Sequence, residues 1–488
     1  MGSFAKRYGL IVGFIALLVV IFLPTPEGLP IAGQRMLGIL VFSIIVWMTD
    51  SISYPVSAVV IMALMAFLLG ISPDVAEPNV LIGTSKALSM ALGGFSNTAL
   101  ALVGGALFIA IAMMQTGLDR RIALFVLSKI GAKTNRVLVG VIVVGFVLSF
   151  FVPSTTARVS CMVPIIMGII MAFGVDKKSK FAGMLMIAAA QAAAIWNIGI
   201  KTAAAQNMIA LGFIEKQLGQ YISWFDWFIA AAPFSIIMSV ILYYVMLKVM
   251  PPETKEIAGG KESIVRAIAE LGPMKIGEQK LLIISVLLLF FWSTEKILHP
   301  FDTSSITIAA VAIMLLPGIG IITWKVVQDK ISWGTLILFG VGISLGSALL
   351  ATKAAAWMAK IIVTMCGLQT MPILVIVAIL AAFLIIIHLG FASATALAAA
   401  MIPIMISILQ GVQTHAPGIN VVGLTMILQY VVSFGMILPV NAPQNMIAYG
   451  TDTFEVKDFI KTGIPLTIIG YVLILLFSAT YWKWMGLV

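Results

Sequence analysis

The sequence PSTTA at positions 153–157 divides an apolar block that runs from 137 to 174. The block is too long for one membrane-spanning helix, which needs about 20 apolar residues, and each of its arms is close to a full span. A second apolar block, 371–409, is divided in the same way by ASATA at 392–396. Because neither interruption carries the charged residues of an external loop, each block predicts a re-entrant helical hairpin. The alternative is two ordinary spans joined by a loop.

Composition places the chain among membrane proteins with many spans. Of its 488 residues, 61% are hydrophobic and 10% are charged, and the mean hydropathy is +1.14. Soluble globular chains carry about 25% charged residues. The formal net charge is +10, but the lysines and arginines cluster in a few loops, where they set topology and do not indicate nucleic-acid binding.

Outside the two hairpins, the hydropathy pattern predicts about eleven transmembrane helices in an all-α fold. The predicted spans are 8–25, 36–48, 53–72, 88–116, 181–213, 223–250, 280–297, 303–323, 333–352, 420–450 and 458–486. We interpret the first as an uncleaved helix, because many further spans follow it. The one long polar segment, 251–279, is interpreted as a linker with an amphipathic helix near 262–271.

Landmarks on the two sides of this linker match in order and nearly in spacing, which predicts an internal repeat. The matched segments are VGG at 103–105 with FGV at 339–341 (340 − 104 = 236), STT at 154–156 with SAT at 393–395 (393 − 154 = 239), and QNMIA at 206–210 and 444–448 (444 − 206 = 238). Five spans and a hairpin in each half make an odd number of crossings. The two repeats are therefore predicted to run in opposite directions through the membrane, as in secondary transporters.

The predicted domains follow from this repeat and from the positive charges. They are an N-terminal helix 1–35, a first inverted repeat 36–250 with hairpin 137–174, a linker 251–279, and a second inverted repeat 280–488 with hairpin 371–409. The first hairpin is flanked by many more cations than the second: Arg120, Arg121, Lys129, Lys133, Arg136, Lys177, Lys178 and Lys180, against Lys353 and Lys360. The positive-inside rule then predicts that the first hairpin opens from the cytoplasm and the second from outside, with the N-terminus and the linker cytoplasmic.

In transporters of this plan the ligand lies near the bilayer midplane, where helices break and expose backbone groups. The breaks predicted here are the two hairpin tips and the segments 197–207 and 438–445. Hydroxyls at the tips would donate hydrogen bonds to a ligand; they belong to Ser154, Thr155, Thr156, Ser393 and Thr395. Each could instead bond back to its own helix.

Three cationic or titratable residues fall at the same breaks, namely Arg158, Lys201 and His388. Ionisable residues within spans are costly and therefore candidates for function. Each has a structural alternative: Arg158 could extend to the membrane surface, Lys201 could pair with a helix C-terminus, and His388 could be a satisfied core histidine. No Asp or Glu lies within these breaks, so the pattern predicts an anionic ligand.

Signals for other classes are weak. The sequence contains no HExxH, Walker A or CxxC motif, and its three histidines are far apart, so we predict neither an enzyme nor a metal site. An ion channel or an intramembrane enzyme is the third reading, but a channel should show a pore-lining ring, and an enzyme a matched acid and base. Neither pattern is visible in the sequence.

The tips and breaks resemble those of the divalent anion/sodium symporter family, which includes di- and tricarboxylate carriers and 2-oxoglutarate/malate translocators. The family's paired Ser-Asn-Thr motif appears here as Ser154-Thr155-Thr156 and Ser393-Ala394-Thr395. Its second helix break carries a small residue followed by Thr, Pro, Pro and Asn, and the matching runs here are Asn441-Ala442-Pro443-Gln444-Asn445 and, in the first half, Ala203-Ala204-Ala205-Gln206-Asn207. The resemblance implies that the tips, together with Asn441, Ala442 and Pro443, bind substrate carboxylates. We expect Gly199, Asn207 and Asn445 to support the broken helices. The resemblance also implies a homodimer in the cell membrane that works as an elevator.

The chain departs from the family at the tip asparagines, which help to coordinate sodium in sodium-coupled members and are replaced here by Thr155 and Ala394. Positive charge fixed on the protein would neutralise a substrate as sodium does, but it cannot leave with the substrate; the residues concerned are Arg158, Lys201 and His388. An empty carrier would then hold unpaired buried charge and should cross the membrane poorly. The prediction is therefore sodium-independent exchange of C4/C5 dicarboxylates (2-oxoglutarate, malate, succinate, fumarate), without a cofactor. The alternative is a sodium-coupled di- or tricarboxylate symporter, with citrate as a possible substrate.

Overall fold

A computed structural model of the chain describes residues 3–130, 133–172, 174–253, 265–266 and 268–488. Its regular structure in these ranges is helical, with isolated β-bridges only. The predicted all-α fold is therefore confirmed. The helix predicted near 262–271 lies for the most part outside the described residues.

The helices of the first half are numbered in chain order. They are α1 (Ser3–Phe22), α2 (Ile31–Thr49), α3 (Tyr54–Leu64, continued by a π-helical turn Met65–Leu69), α4 (Thr84–Leu92), α5 (Thr98–Thr116), α6 (Leu118–Ile130), α7 (Thr134–Phe151), α8 (Thr155–Ala172), α9 (Lys180–Gly199), α10 (Ala205–Leu218) and α11 (Trp224–Val249). The boundary predicted at residue 35 lies inside α2, since the connection that separates α2 from α1 ends before Ile31.

The second half contains a similar series. Its helices are α12 (Ile276–Ser293), α13 (Thr303–Leu315), α14 (Trp324–Lys330), α15 (Trp333–Ala351), α16 (Ala354–Met365), α17 (Ile373–His388), α18 (Ala394–Gln413), α19 (Val421–Val432), α20 (Pro443–Tyr449), α21 (Val456–Ala479) and α22 (Tyr481–Trp484).

Nine helical segments in the described ranges are long and apolar enough to cross a membrane. Two of them, α7 and α18, are arms of the predicted hairpins, so seven correspond to the eleven predicted spans. The predicted spans without such a helix are 8–25, 53–72, 303–323 and 420–450, and the last three contain shorter apolar helices. Two of the eleven predicted spans are also broken helices. The predicted span 181–213 consists of α9 and α10 around the 3₁₀ turn Lys201–Ala203, and 420–450 consists of α19 and α20 around the 3₁₀ turn Pro439–Asn441. Because a broken helix can cross in two pieces, the number of crossings stays a prediction.

Both predicted hairpins are pairs of helices joined by a short turn. In the first, α7 and α8 meet at residues 152–154, and in the second, α17 and α18 meet at 389–393. Pro153 in the first turn has no N–H to continue α7. That the hairpins are re-entrant stays a prediction.

Two helices that the hydropathy pattern does not predict stand before the hairpins. They are α6 and α16, whose first residues are 236 positions apart (354 − 118 = 236). This is the offset that relates 103–105 to 339–341 in the sequence. Both are too short to span a bilayer, which needs about 20 residues, so neither gives the long apolar signal of a transmembrane helix.

The centre of the molecule is formed by the broken helices. Every residue of α9 from Phe181 to Gly199 is buried, and the helix packs on α7, α8 and α11. Close approach needs residues without side chains at two points: a Cβ on Gly199 would lie 2.9 Å from Ser235 Oγ, and one on Gly463 would lie 1.9 Å from the carbonyl oxygen of Met436. Gly199 therefore lets α9 and α11 pack closely beside the first break.

Candidate functional site

The two hairpin tips begin their second helices in the same way. Ser154 Oγ accepts a hydrogen bond from the backbone N–H of Ala157 at 3.3 Å, and Ser393 Oγ accepts one from Ala396 at 3.3 Å. These are helix N-caps. A serine oxygen that accepts in this way still has its proton to donate, so both caps keep a donor for a ligand.

The two breaks are stabilised by asparagines with matching bonds. Asn207 Nδ2 donates to the carbonyl oxygens of Asn197 at 2.7 Å and Ile200 at 3.3 Å. Asn445 Nδ2 donates to those of Gly435 at 2.8 Å and Leu438 at 3.4 Å. Each acceptor pair is separated by the repeat offset (435 − 197 = 238; 438 − 200 = 238). The two asparagines thus satisfy carbonyls that the end of a helix leaves unpaired.

A cavity of about 780 Å³ lies between the tips and the breaks, and α5 and the start of α15 close its other sides. This volume is in the range of small-molecule sites. The polar side chains of its lining belong to Tyr54, Ser154, Thr155, Thr156, Ser160, Asn197, Thr202, Gln206, Lys330, Ser332, Thr335, Ser393, Thr395 and Gln444. Among the described residues of this lining, Lys330 is the one charged side chain, and no carboxylate is present.

Eight of the nine residues predicted to bind substrate line this cavity. They are Ser154, Thr155, Thr156, Ser393, Ala394, Thr395, Ala442 and Pro443. The ninth, Asn441, is buried beneath the second tip, where its Nδ2 donates to the carbonyl oxygens of His388 at 2.9 Å and Phe391 at 3.2 Å. Asn441 therefore joins break to tip and does not face the cavity. The binding roles of the other eight stay predictions.

Arg158 does not line the cavity. Its side chain is fully buried and donates to the carbonyl oxygens of Val152 and Ala203 at 3.1 Å each, to that of Ala193 at 3.3 Å, and to Asn197 Oδ1. The alternative that Arg158 extends to the membrane surface is wrong, because these acceptors all lie at the tip and the first break. In the described part of the chain no carboxylate forms an ion pair with Arg158.

Lys201 lies in the first break, as the sequence shows, but its ammonium points away from the cavity. Lys201 Nζ donates to the carbonyl oxygen of Ile222 at 2.8 Å, lies 3.4 Å from Thr303 Oγ1, and stands 4.8 Å from the centre of the Tyr221 ring. The Thr303 hydroxyl donates to Glu295 Oε2 at 2.8 Å. The expectation of an uncompensated cation at the site is therefore wrong for Lys201, because Glu295 comes from the connection between α12 and α13, far from the break in sequence.

His388 ends α17 and is also buried outside the lining. Its Nε2 lies 3.4 Å from the carbonyl oxygen of Asn441, and its Nδ1 has no hydrogen-bond partner in the described part of the chain. The three residues predicted to bring positive charge to the site thus lie behind it. Burying a charge requires hydrogen-bond partners, and backbone carbonyls at the tips and breaks supply these for Arg158.

The sequence pattern does not predict nine of the fourteen polar residues of the lining, and four of the nine lie at the breaks. Asn197 and Thr202 flank the first break, and Gln206 and Gln444 follow the two breaks. The repeated QNMIA at 206–210 and 444–448 is a signal for both glutamines, but only its asparagines are predicted to have a role, as support for the broken helices. In the structure the two kinds of amide have different surroundings: the asparagines hydrogen-bond to the broken helices, and the glutamines line the cavity.

An all-helical chain with many apolar helices, whose two hairpin tips and two helix breaks enclose one cavity without a described carboxylate, has the features of a multi-pass membrane transporter. The chain belongs to the sodium:sulfate symporter family, since residues 5–488 match the family's transmembrane region. The prediction that it is not an enzyme is confirmed by this membership, and so is the resemblance to the divalent anion/sodium symporters. The exchanger branch stays a prediction.

Relatives match over nearly the whole chain. A membrane protein of Cupriavidus necator is 56% identical over 98% of this chain and 93% of its own length. The sodium-dependent dicarboxylate transporter SdcS of Staphylococcus saprophyticus is 29% identical over 96% and 90%, and the inner membrane protein YbhI of Escherichia coli is 30% identical over 95% and 94%. The crystal structure of the Alcanivorax borkumensis YdaH transporter is similar in fold, with a TM-score of 0.54 at 13% identity over 87% of this chain and 97% of that one.

These relationships correct the prediction that sodium is not required. The family is described by sodium:sulfate symport, and SdcS is a sodium-dependent dicarboxylate transporter. The prediction rested on fixed cations in the position of sodium. It fails because neither Lys201 nor His388 lines the cavity, and Arg158 is bonded to the protein's own carbonyls.

Proposed function

We propose that this protein is a secondary transporter that moves C4/C5 dicarboxylates, such as malate, succinate, fumarate and 2-oxoglutarate, across the cell membrane together with sodium. The observation that carries the proposal is the cavity in which the hydroxyls of both tips converge without a described carboxylate. Hydroxyl donors from two separate tips in one cavity fit an anion with a carboxylate at each end. The relation to SdcS supports both the substrate class and the use of sodium.

The test is transport in proteoliposomes. We expect labelled succinate or malate to enter when a sodium gradient is imposed and to enter slowly without it. Citrate as a competitor tests the tricarboxylate alternative. If no dicarboxylate enters under any gradient, with or without dicarboxylate inside the vesicles, the proposed function is wrong.

Two threonines make this test specific to the cavity. Thr156 and Thr395 line it, and Thr→Val keeps the shape while removing the hydroxyl. A hydrogen bond to a charged group contributes about 1.5–3 kcal/mol, so we expect KM to rise about tenfold or more in each variant. The control is Thr425→Val, which removes a buried hydroxyl bonded to its own helix at Val421. If KM changed as much in this control as in the two threonine variants, the results would not support substrate binding in the cavity.

Obligatory exchange of one dicarboxylate for another is the second candidate for the transport cycle. The observation that favours it is the replacement of both tip asparagines of the family motif by Thr155 and Ala394. In the family those asparagines help to coordinate sodium, so a gradient of a second dicarboxylate is the alternative driving force. Uptake that depends on dicarboxylate inside the vesicles would support exchange, and net uptake into empty vesicles would exclude it.

We further propose, from the family resemblance, a homodimer whose tips and broken helices move as an elevator against α5 and α15. The positive charges that flank the first hairpin support a cytoplasmic N-terminus and linker. The moving and fixed parts meet where Asn97 Nδ2 lies 3.5 Å from the carbonyl oxygen of Gly212, and a Cβ on Gly212 would lie 3.2 Å from Asn97 Oδ1.

This contact allows a direct test of the elevator. We expect a disulfide between Asn97→Cys and Gly212→Cys, in a background without Cys161 and Cys366, to stop transport and a reductant to restore it. Either single cysteine variant is the control. Full transport by the cross-linked protein would exclude relative movement at this contact.

The proposed homodimer has a separate test. Light scattering in detergent should show a protein mass of about twice the 52.2 kDa of one chain, and a monomer mass would exclude the dimer.

A further inference from the structure

Two glutamines at equivalent places face the cavity. Gln206 and Gln444 are 238 positions apart (444 − 206 = 238), each follows a helix break, and both line the cavity. Their side chains are 6% and 7% exposed. They are therefore nine-tenths buried polar groups, and a buried polar group usually has a hydrogen-bond partner.

The glutamines are less completely bonded than the asparagines beside them. Gln206 Nε2 donates to Ser433 Oγ at 3.3 Å, which leaves its Oε1 free, and the Gln444 amide has no partner in the described part of the chain. None of these free atoms is sealed from solvent. Because both residues line the cavity, their free donors and acceptors open into it.

The chemistry of an amide differs from that of the tips. Tip hydroxyls can donate to a carboxylate, whereas an amide presents a donor and an acceptor side by side. Its carbonyl oxygen would repel a carboxylate, but an amide matches a hydroxyl, which both donates and accepts, and its N–H matches a keto oxygen. The two amides therefore suit a polar substituent on the carbon chain between two carboxylates.

We propose that Gln206 and Gln444 select dicarboxylates that carry a hydroxyl or keto oxygen next to one carboxylate over the unsubstituted acids of equal length. The proposal rests on the proposed dicarboxylate transport. A site built to hydrogen-bond a substrate group discriminates against the analogue that lacks it, because the analogue leaves the buried amide unpaired. The tips hold the two ends of the substrate, and the glutamines read what lies between them.

The test compares pairs of substrates that differ in one oxygen substituent. Malate against succinate and 2-oxoglutarate against glutarate are used as competitors of labelled succinate uptake in proteoliposomes. The wild-type protein is expected to prefer the substituted member of each pair. Gln444→Met and Gln206→Met keep the length of the side chain without the amide, and each is expected to reduce that preference about fivefold to tenfold. The affinity for malate and 2-oxoglutarate should fall, and the affinity for succinate should stay equal or rise, because methionine removes the amide that succinate leaves unpaired.

The control is Gln413→Met, whose amide bonds to the carbonyl oxygen of Ile419 at 3.1 Å outside the cavity. It should leave both preferences unchanged. The proposal is overturned if the wild type prefers neither member of a pair, or if the variants keep the preference. It is also overturned if the variants lose affinity equally for succinate and malate, because the amides would then bind the carboxylates. If the wild type transports no dicarboxylate, the proposed function is wrong. If it transports dicarboxylates but shows no preference for the substituted ones, only the role of the glutamines is wrong.

Discussion

We expect Arg158→Ala to abolish transport and to lower the yield of folded protein. The Arg158 side chain joins three segments: the first tip at Val152, the end of α9 at Ala193 and Asn197, and the first break at Ala203. Alanine removes all of these donors at once and leaves the buried carbonyl oxygens of Val152 and Ala203 without this partner. Asn197 Oδ1, in contrast, keeps its bond from the Thr155 hydroxyl at 2.8 Å. Since transport requires tip and break to hold their positions, the loss should exceed what one missing ligand contact causes.

The magnitude follows from the bonds that are lost. A hydrogen bond from a charged donor contributes about 1.5–3 kcal/mol, and bonds of one network do not add independently. A total loss of at least about 3 kcal/mol is therefore expected, which corresponds to more than about a hundredfold in an equilibrium constant. The measurements are the melting temperature in detergent and the initial rate of dicarboxylate uptake in proteoliposomes.

Two variants separate geometry from charge. Arg158→Lys keeps the charge but loses the planar fork that reaches several acceptors, so we expect it to lose most of its stability and transport too. The matched control is Arg35→Ala, because Arg35 also donates to a backbone carbonyl, that of Leu68 at 3.0 Å, away from the cavity. If Arg158→Ala melted and transported like the Arg35→Ala control, the bridging role assigned to Arg158 would be wrong.

Arg158 also illustrates which features of the site the sequence predicts and which it does not. The collinear landmarks predict the hairpin tips with their five hydroxyl residues and the helix breaks, because these depend on local breaks in apolar periodicity. The family resemblance adds Ala394, Ala442 and Pro443. In the first half, Arg158 connects Val152 to Ala203. In the second half, the counterpart of Ala203 is Asn441 (441 − 203 = 238), and it bonds directly to Phe391, the counterpart of Val152 (391 − 152 = 239). One connection is thus made by two unrelated residues.

The direction of a side chain is what the sequence could not supply. Lys201 and Thr202 are neighbours in the first break, yet Thr202 lines the cavity and Lys201 points to Tyr221 and Thr303. Which of them faces the ligand depends on the path of a 3₁₀ turn and on partners about 20 and 100 residues away in the chain. Periodicity holds no information on either, so the sequence pattern points to Lys201, whereas Thr202 is the residue that lines the cavity.

The second large effect is expected at Lys201 and Glu295. Their side chains are 3% and 1% exposed, and they are linked through the Thr303 hydroxyl. Glu295 also accepts hydrogen bonds from the Tyr221 hydroxyl at 2.5 Å and from the backbone N–H of Trp224 at 3.3 Å. This network connects the first break to the segment between α12 and α13.

Removing both charges of the network should cost less than the sum of the two single removals. Lys201→Met leaves the Glu295 carboxylate buried without its cation, and Glu295→Gln leaves the Lys201 ammonium without its anion. Breaking a direct buried pair costs about 3–5 kcal/mol, and because the Thr303 hydroxyl stands between these two charges, each single loss is expected to be smaller than that. In the double variant neither charge remains, so we expect it to be more stable than the sum of the single effects indicates, by about 1–3 kcal/mol.

The free energy of unfolding in mixed micelles of a mild detergent and SDS measures this coupling. Lys280→Met is the control, because Lys280 Nζ donates to the carbonyl oxygen of Ile319 at 2.8 Å in an exposed position. Additive single effects would show that the two charges do not interact through Thr303.

Transport by the folded fraction then distinguishes structure from ligand binding. Because Lys201 lies behind the cavity, we expect Lys201→Met to change the amount of folded transporter and to leave KM for a dicarboxylate within about twofold of the wild type. A cation that contacts a carboxylate directly would raise KM by tenfold or more when removed, since such a bond contributes about 1.5–3 kcal/mol. A large rise in KM would therefore return Lys201 to the site, and an unchanged KM in a less stable protein assigns it to the support of the first break.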